Sequence, residues 1–371
     1  MRIDNTKKTK RVLGLAAAFA VVLGACGGGD DAAEAPTATD AEEVELTSSD
    51  GGILAAVQER GVLRCGVSGA AVAFSFTAAD GSMNGIDADY CRAVAAAVLG
   101  DATAVEFVSL TAAERFTAVQ TGSVDVLMRN TTWTQSRDTD VGMDFGPTTY
   151  FDGQQLMARA ADGFTTSSQV SDVDGAVVCT NAGTTTETNI SELASVLGIK
   201  ITLTTFEDYD QVTEAFIAGT CDVITTDGSG LVGRKSVQEP SKDAWVIFPA
   251  TPFSKEPLGP VYPQNDSQWA DVVNWTVYAT FIADEYGVGS DEVSAAAAGD
   301  FGPEMVRLMG GEGELQSVMG LSATAFADVI TQVGNYQQIW DRNLTPVGLV
   351  REGSANALWN KGGLLYAPPA R

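Results

Sequence analysis

The stretch Arg129–Asp138, RNTTWTQSRD, follows directly on the largely apolar run Val124–Met128. A run of that length and β-branched character predicts a buried strand. The loop after it offers the hydroxyl and amide groups of Asn130, Thr131, Thr132 and Thr134, then the guanidinium of Arg137. Neutral donors converging beside a guanidinium fork match a carboxylate, which the fork grips through two parallel hydrogen bonds. The stretch therefore reads as the carboxylate-binding half of a site for a free amino acid. Taken alone, charge favours a loop arginine in a surface ion pair; the rest of the chain reverses that choice.

Working outward, strands and helices alternate. Ile53–Arg60 predicts a short helix stopped by Gly61, and Val62–Val67 a strand. Asp87–Leu99 predicts an Asp-capped helix ended by Gly100, followed by a Val105–Leu110 strand and an Ala112–Thr121 helix. A break rich in Ser, Thr, Asp and Gly spans Arg159–Asp174. A second series follows: strand Ala176–Cys179, helix Thr184–Leu197, strand Lys200–Phe206, helix Asp208–Ala218 and strand Cys221–Thr225. Such alternation implies βαβ units and a largely parallel sheet. The two series echo each other: AVQTGSVDV at 118–126 parallels AFIAGTCDV at 215–223. In both, a helix closes at Gly and a strand opens with Asp-Val, which suggests two similar α/β lobes.

In open parallel sheets, ligands sit off the carboxyl ends of the strands. The first echoed strand leads to Thr132 and Arg137, the second to Asp227 within TTDGSG at 225–230. An arginine on one lobe and an aspartate on the other make a clamp for a zwitterion, carboxylate to Arg137 and ammonium to Asp227. The alternative for Asp227 is a helix N-cap, since Gly228–Leu231 can open a helix. A third element, NAGTTT at 181–186, joins strand to helix and offers Thr184 and Thr185 amides as an anion site. It is not a P-loop, because GxxxxGK[ST] is absent, and no cofactor or metal is expected.

Composition narrows the function further. The 371 residues carry a formal charge of −26 and no histidine. The acidity argues against nucleic acid, whose phosphates need a basic face. The missing histidine removes Ser-His-Asp and Cys-His catalysis and every His-ligated metal site. Residues 1–25 hold a basic segment, Lys7 to Arg11, and an apolar run, Val12–Leu23, too short to span a bilayer. They read as an export signal. Leu23-Gly24-Ala25-Cys26 resembles a bacterial lipobox, which makes Cys26 the lipidated first residue; an ordinary signal peptide cleaved nearby is the alternative. Residues 26–51 have few large apolar groups and read as a flexible acidic tether. The remaining Cys65, Cys91, Cys179 and Cys221 suit two disulfides in an exported protein. Three pairings are open; nearest neighbours, Cys65–Cys91 and Cys179–Cys221, keep each bridge inside one lobe.

Further motifs extend over the chain: LRCGVS at 63–68, GIDADYCRAVAAAVLGD at 85–101, RFTAVQTGSVDVLMRNTTWTQSRDT at 115–139, GTTTETN at 183–189 and CDVITTDGSGL at 221–231. SKEPLGP at 254–260, QVGNYQQIWDRN at 332–343 and the tail NALWNKGGLLYAPPAR at 356–371 complete the set. From Gly52 to Arg371 the sequence resembles the polar amino-acid-binding proteins of ABC importers, in their general L-amino-acid and glutamate/glutamine/aspartate/asparagine branch. The resemblance implies a type II periplasmic-binding fold, α/β, with two lobes on a two-stranded hinge closing over a ligand cleft. It implies lobe one from 52–157 and 256–371, and lobe two from 158–255, with crossings near Gln155–Arg159 and Pro252–Pro260. It also implies a carboxylate held by Arg137, Thr132 and the Thr185 amide, an ammonium held by Asp227 and main-chain oxygens near Asn130, and a wall at Phe74. Arg129 is in reach of an acidic ligand side chain or of a structural ion pair.

Two departures from the family pattern stand out. Ala71-Val72-Ala73 replaces an aromatic before Phe74, and the second wall, near Leu110–Ala112, is not aromatic. Both suit a roomier, broader pocket. Family knowledge further implies a free L-amino acid as ligand, permease subunits as partners, a monomer, and no enzymatic activity. The other readings are a cyclohexadienyl-dehydratase-like enzyme on the same fold, and an amino-acid-sensing lipoprotein without a transporter. Asp87 and Asp89 are expected to cap and stabilise a helix start rather than act as an acid/base pair. Trp269, Trp275 and Trp340 are expected in the core, on helices Asp266–Tyr286 and Thr324–Trp340.

Overall fold

The computed structural model describes residues 52–238, 244–311 and 314–371. The export signal, Cys26 and the tether lie outside the described residues. Two five-stranded sheets carry the architecture. In the first, strands run in the order Val105–Ser109, Leu63–Val67, Val126–Leu127, Val261–Pro263, Met143–Phe145. In the second, the order is Thr202–Phe206, Val177–Asn181, Val223–Asp227, Gln154–Arg159, Trp245–Phe248. In each, the first three strands are parallel, the fourth runs antiparallel to them, and the fifth pairs antiparallel with the fourth and so runs with the first three. The echoed segments supply the third strand of their respective sheets, so the internal repeat is one of topology.

The lobes are joined where Tyr150–Asp152 pairs antiparallel with Glu256–Leu258, placing Tyr150 opposite Leu258 and Asp152 opposite Glu256. This corrects the first crossing. Gln155–Arg159 is not the crossing but part of a strand inside the second sheet, hydrogen-bonded on both sides. Its Leu156, Met157 and Ala158 are fully buried. An apolar run reads the same in a crossover as in a central strand, and only its pairing tells them apart.

Helix ends explain two further corrections. The helix expected from Asp87 begins at Ile86, with Gly85 at the N-cap and no side-chain cap. Gly85 has φ +124°, and a Cβ there would meet the Phe74 carbonyl oxygen at 2.1 Å, so the turn requires glycine. Asp87 is thereby freed for another partner. Asp89 pairs instead with Arg92 at 3.0 Å and Arg342 at 2.7 Å. The helix expected over Thr324–Trp340 divides into Ala325–Gln332 and Tyr336–Asn343. Gly334 sits between them at φ +100°, and Asn335 with Gln338 forms a capping box that starts the second helix.

Trp269 and Trp340 are fully buried in the large lobe-one core, and Trp275 packs against it. Trp269 also donates its indole N–H to the Asp125 carbonyl at 2.9 Å, which ties the Ser267–Glu285 helix to the loop before the Val126–Leu127 strand. Both disulfides form between nearest neighbours, Cys65–Cys91 and Cys179–Cys221. The first pins the Leu63–Val67 strand to the Ile86–Leu99 helix, and the second lies wholly within lobe two. Among the described residues, no helix is long and apolar enough to cross a membrane.

Candidate functional site

A cavity of about 230 Å³ lies between the lobes. All eight ligand-site residues expected from the sequence line it: Phe74, Arg129, Asn130, Thr132, Arg137, Thr184, Thr185 and Asp227. The volume falls below the roughly 300–1,000 Å³ of drug-sized ligand sites and suits a small metabolite.

On the lobe-one side, Asn130 turns the chain at φ +32°, a left-handed conformation that asparagine tolerates better than most residues. Its backbone N–H donates to the Asp87 carboxylate at 2.8 Å. Asp87 thus orients the site loop rather than capping its helix. Burial pushes the Asp87 carboxyl up to about 7, against the opposing pull of the Asn130 hydrogen bond and Arg129. Arg129 donates Nε to the Leu110 carbonyl at 2.9 Å, and burial brings its guanidinium down to about 10. Thr134 caps the short Gln135–Thr139 helix by accepting the Arg137 N–H at 3.3 Å. That cap aims Arg137 back under the loop, where it donates to the Thr132 carbonyl at 2.8 Å. Its guanidinium carbon stands 5.3 Å from the Phe116 ring centroid. Phe116 does not itself line the cavity, but its ring backs the Arg137 guanidinium, a support that the spacing of the two expected walls does not reveal.

The lobe-two side is built by helix starts. Thr184 is the N-cap of the Thr185–Leu197 helix, accepting the Glu187 N–H at 3.2 Å. Thr185, the first helical residue, donates its hydroxyl to the Glu256 carboxylate at 2.9 Å and faces the Thr132 hydroxyl across the cleft at 3.5 Å. Asp227 ends the Val223–Asp227 strand and precedes the Gly228–Val237 helix, yet makes no side-chain cap bond. The N-cap alternative therefore fails for its side chain. Burial raises the Asp227 carboxyl well above the ordinary range, reinforced by the carboxylates of Asp152 and Glu256 and opposed by Arg137 and Arg115.

Among the described residues, buried side-chain atoms without a hydrogen-bond partner are few, and they cluster here. Asn130 Oδ1, Asp227 Oδ1, Tyr209 Oη and Arg115 Nε are all unpartnered, and all four residues line the cavity. A buried polar group left unpaired costs about 1–3 kcal/mol, so a convergence of four marks a place organised for a polar ligand. Three further lining residues were missed from sequence: Arg115, Tyr209 and Arg234. Arg234 pairs with Asp210 and donates to the Ala70 carbonyl across the cleft at 2.7 Å. Arg115 and Tyr209 open the helices that follow the Val105–Ser109 and Thr202–Phe206 strands, and Arg234 lies within the Gly228–Val237 helix; the strand-end rule reaches the first two positions, but nothing local separates Arg234 from an ordinary helical surface polar group.

The profile of the bacterial extracellular solute-binding proteins, family 3, matches residues 63–280. The chain belongs to that family. It is 42% identical to the general L-amino acid-binding periplasmic protein AapJ of Rhizobium johnstonii, over 86% of this chain and 92% of the relative. It is 41% identical to the glutamate/glutamine/aspartate/asparagine-binding protein BztA of Rhodobacter capsulatus, over 85% and 92%. Among solved structures, an ABC transporter periplasmic binding protein from Brucella ovis with glutathione bound superposes with a TM-score of 0.82. It is 40% identical and covers 86% of this chain and 99% of that one. The type II periplasmic-binding fold expected from the motifs is thereby established, and these relatives are binding proteins rather than enzymes.

Proposed function

We propose that this protein captures free L-amino acids outside the cytoplasm and delivers them to an ABC importer permease. The observation that carries the proposal is that Arg137 from lobe one and Asp227 from lobe two line the same cavity. The ligand carboxylate meets the Arg137 guanidinium, the Thr132 hydroxyl and the Thr185 N–H at the helix start, where the dipole favours an anion. The ammonium meets Asp227 and the unpartnered Asn130 Oδ1. The small aliphatic lining at Ala70, Ala71, Val72 and Ala112 supports tolerance toward differing side chains.

Contacts from both lobes give the ligand a higher affinity for the closed form, the condition for shifting an open–closed equilibrium. The paired Tyr150–Asp152 and Glu256–Leu258 strands serve as the hinge, and the permease reads the closed form. The protein acts as a monomer, exported by its N-terminal signal and held at the membrane by a lipid on Cys26. Residues 52–157 with 256–371, and 158–255, are the approximate lobes, the first crossing falling a few residues earlier.

A thermal-shift screen against the twenty amino acids tests the reading, because binding raises the melting temperature by mass action. No shift with any of them would refute it. Assaying the same mixtures for an elimination product separates a binder from a dehydratase.

A further inference from the structure

We infer that Asn356 is a positioning residue for lobe closure: its side chain clasps the first hinge strand and so sets where the hinge bends and how readily the lobes close. The inference rests on the amino-acid-binding reading above. In the ribbon formed by Tyr150–Asp152 and Glu256–Leu258, Phe151 stands opposite Pro257. Proline has no N–H to give, so this pair exchanges no bonds across the ribbon and its polar backbone groups point outward. On one side the Pro257 carbonyl accepts the Trp133 N–H at 2.9 Å. On the other, Asn356 Oδ1 accepts the Phe151 N–H at 2.7 Å while Asn356 Nδ2 donates to the Phe151 carbonyl at 3.0 Å. One buried amide thus stands in for a neighbouring strand and covers the outer edge of the hinge.

The clasp is anchored in lobe one. Arg351 donates Nε to the Asn356 carbonyl at 3.0 Å and pairs with Asp284 at 2.6 Å, its guanidinium carbon 4.6 Å from the Tyr336 centroid. Tyr336 in turn donates its hydroxyl to the Thr149 carbonyl at 2.8 Å, and Trp340 stacks on Tyr150 at 5.7 Å. Residues 149–151 are therefore fastened to lobe one by the C-terminal helix Tyr336–Asn343 and the tail after it. Two residues on, the chain is bonded within lobe two. The Gly153 carbonyl accepts the Gly228 N–H at 2.9 Å, and Gln154 donates its N–H to Ser254 Oγ at 3.0 Å. Bending is thus confined to Asp152 and Gly153 on the outgoing strand and to Lys255 on the return. Without the clasp the ribbon flexes over Phe151 as well, and more of the ligand-free molecules lie far from the closed form. Apparent affinity falls with the fraction of molecules able to close.

The test combines small-angle X-ray scattering with calorimetric titration of the purified protein, using L-glutamine and L-glutamate as probes. Asn356→Ala should enlarge the ligand-free radius of gyration and leave the ligand-bound one at the wild-type value. It should weaken binding about three- to tenfold, the size expected from losing buried hydrogen bonds to one residue. Gln316→Ala is the control, since it removes bonds to the Arg307 and Leu308 carbonyls that lie wholly within the C-terminal segment. That variant should lower the melting temperature but leave affinity and ligand-free scattering unchanged. Wild-type scattering and affinity in Asn356→Ala would overturn the inference, as would an equal loss of affinity in Gln316→Ala. Should Asn356→Ala fail to fold, Tyr336→Phe, which removes only the hydroxyl bonded to Thr149, carries the same expectation and the same refutation. Wild-type protein that binds no amino acid would sink the underlying reading instead, and the ligand-free scattering comparison would still decide the clasp.

Discussion

Asp87 accepts the backbone N–H of Asn130 at 2.8 Å, linking the first turn of the Ile86–Leu99 helix to the loop that lines the interlobe cavity. The bond stabilises a left-handed residue at the point where the chain must turn to present Thr132 and Arg137. The lobe-one half of the cavity depends on a carboxylate that does not itself line it.

Asp87→Ala removes the only acceptor described for that N–H. Ligand affinity should fall by about 1–3 kcal/mol, the cost of a buried donor left unpaired. Asp87→Asn, whose amide oxygen can accept the same bond, should retain most of it. Calorimetry on the pair of variants checks this; equal losses in both would show that charge, not the hydrogen bond, matters.

Arg137→Ala should cost roughly 3–5 kcal/mol of binding, since it leaves a buried ligand carboxylate poorly paired. A variant that titrates like the wild type would rule out Arg137 as the carboxylate partner.

Asp227 is buried, lacks a partner for Oδ1 and sits near two other carboxylates. Asp227→Asn should therefore stabilise the ligand-free protein, by about 0.5–2 kcal/mol, while abolishing discrimination between an amino acid and its deaminated analogue. Chemical denaturation and calorimetry read the two effects separately. A destabilised ligand-free variant would contradict the electrostatic account.

The pH dependence follows from the same acids. Burial raises Asp87 to about 7 and Asp152 to about 6, from an ordinary 3.8, and raises Asp227 as well. Between those values the folded protein holds protons that the unfolded chain has released, so its stability falls as pH rises across that window. The ligand-free melting temperature should decline from pH 4 to pH 7. Asp87→Asn should reduce the slope, and a melting temperature that rises steadily over the window would count against these protonation states.

Each disulfide closes a loop of moderate length, with separations of 26 and 42 residues. Loop closure of that size contributes about 3–4 kcal/mol. Replacing Cys179 and Cys221 together with alanine should lower stability by that order, measured by denaturant unfolding, and leave lobe one's bridge intact.

Much of this protein was legible in the residues themselves. The alternation of β-branched runs with Gly-terminated helices pointed to two α/β lobes, because strand and helix periodicities differ and Gly61, Gly100 and Gly198 adopt the left-handed caps that end helices; the antiparallel pairings in each sheet came only with the structure. The site loops were equally readable, since ligands collect beyond strand ends, where Asp227 closes its strand and Arg137 lies in the short helix after the Val126–Leu127 strand.

Other features depended on contacts between segments far apart in the chain. Whether Gln154–Arg159 crosses between lobes or pairs within a sheet depended on its neighbours Val223–Asp227 and Trp245–Phe248. Asp87 looked like a cap because capping is local; its partner, Asn130, lies 43 residues away. Arg115, Tyr209 and Arg234 became site residues only when three helices, one from lobe one and two from lobe two, met at one cavity. Chemistry that depends on neighbours in sequence can be read from the chain, whereas chemistry that depends on which buried atoms remain unpaired exists only once every other pairing is known.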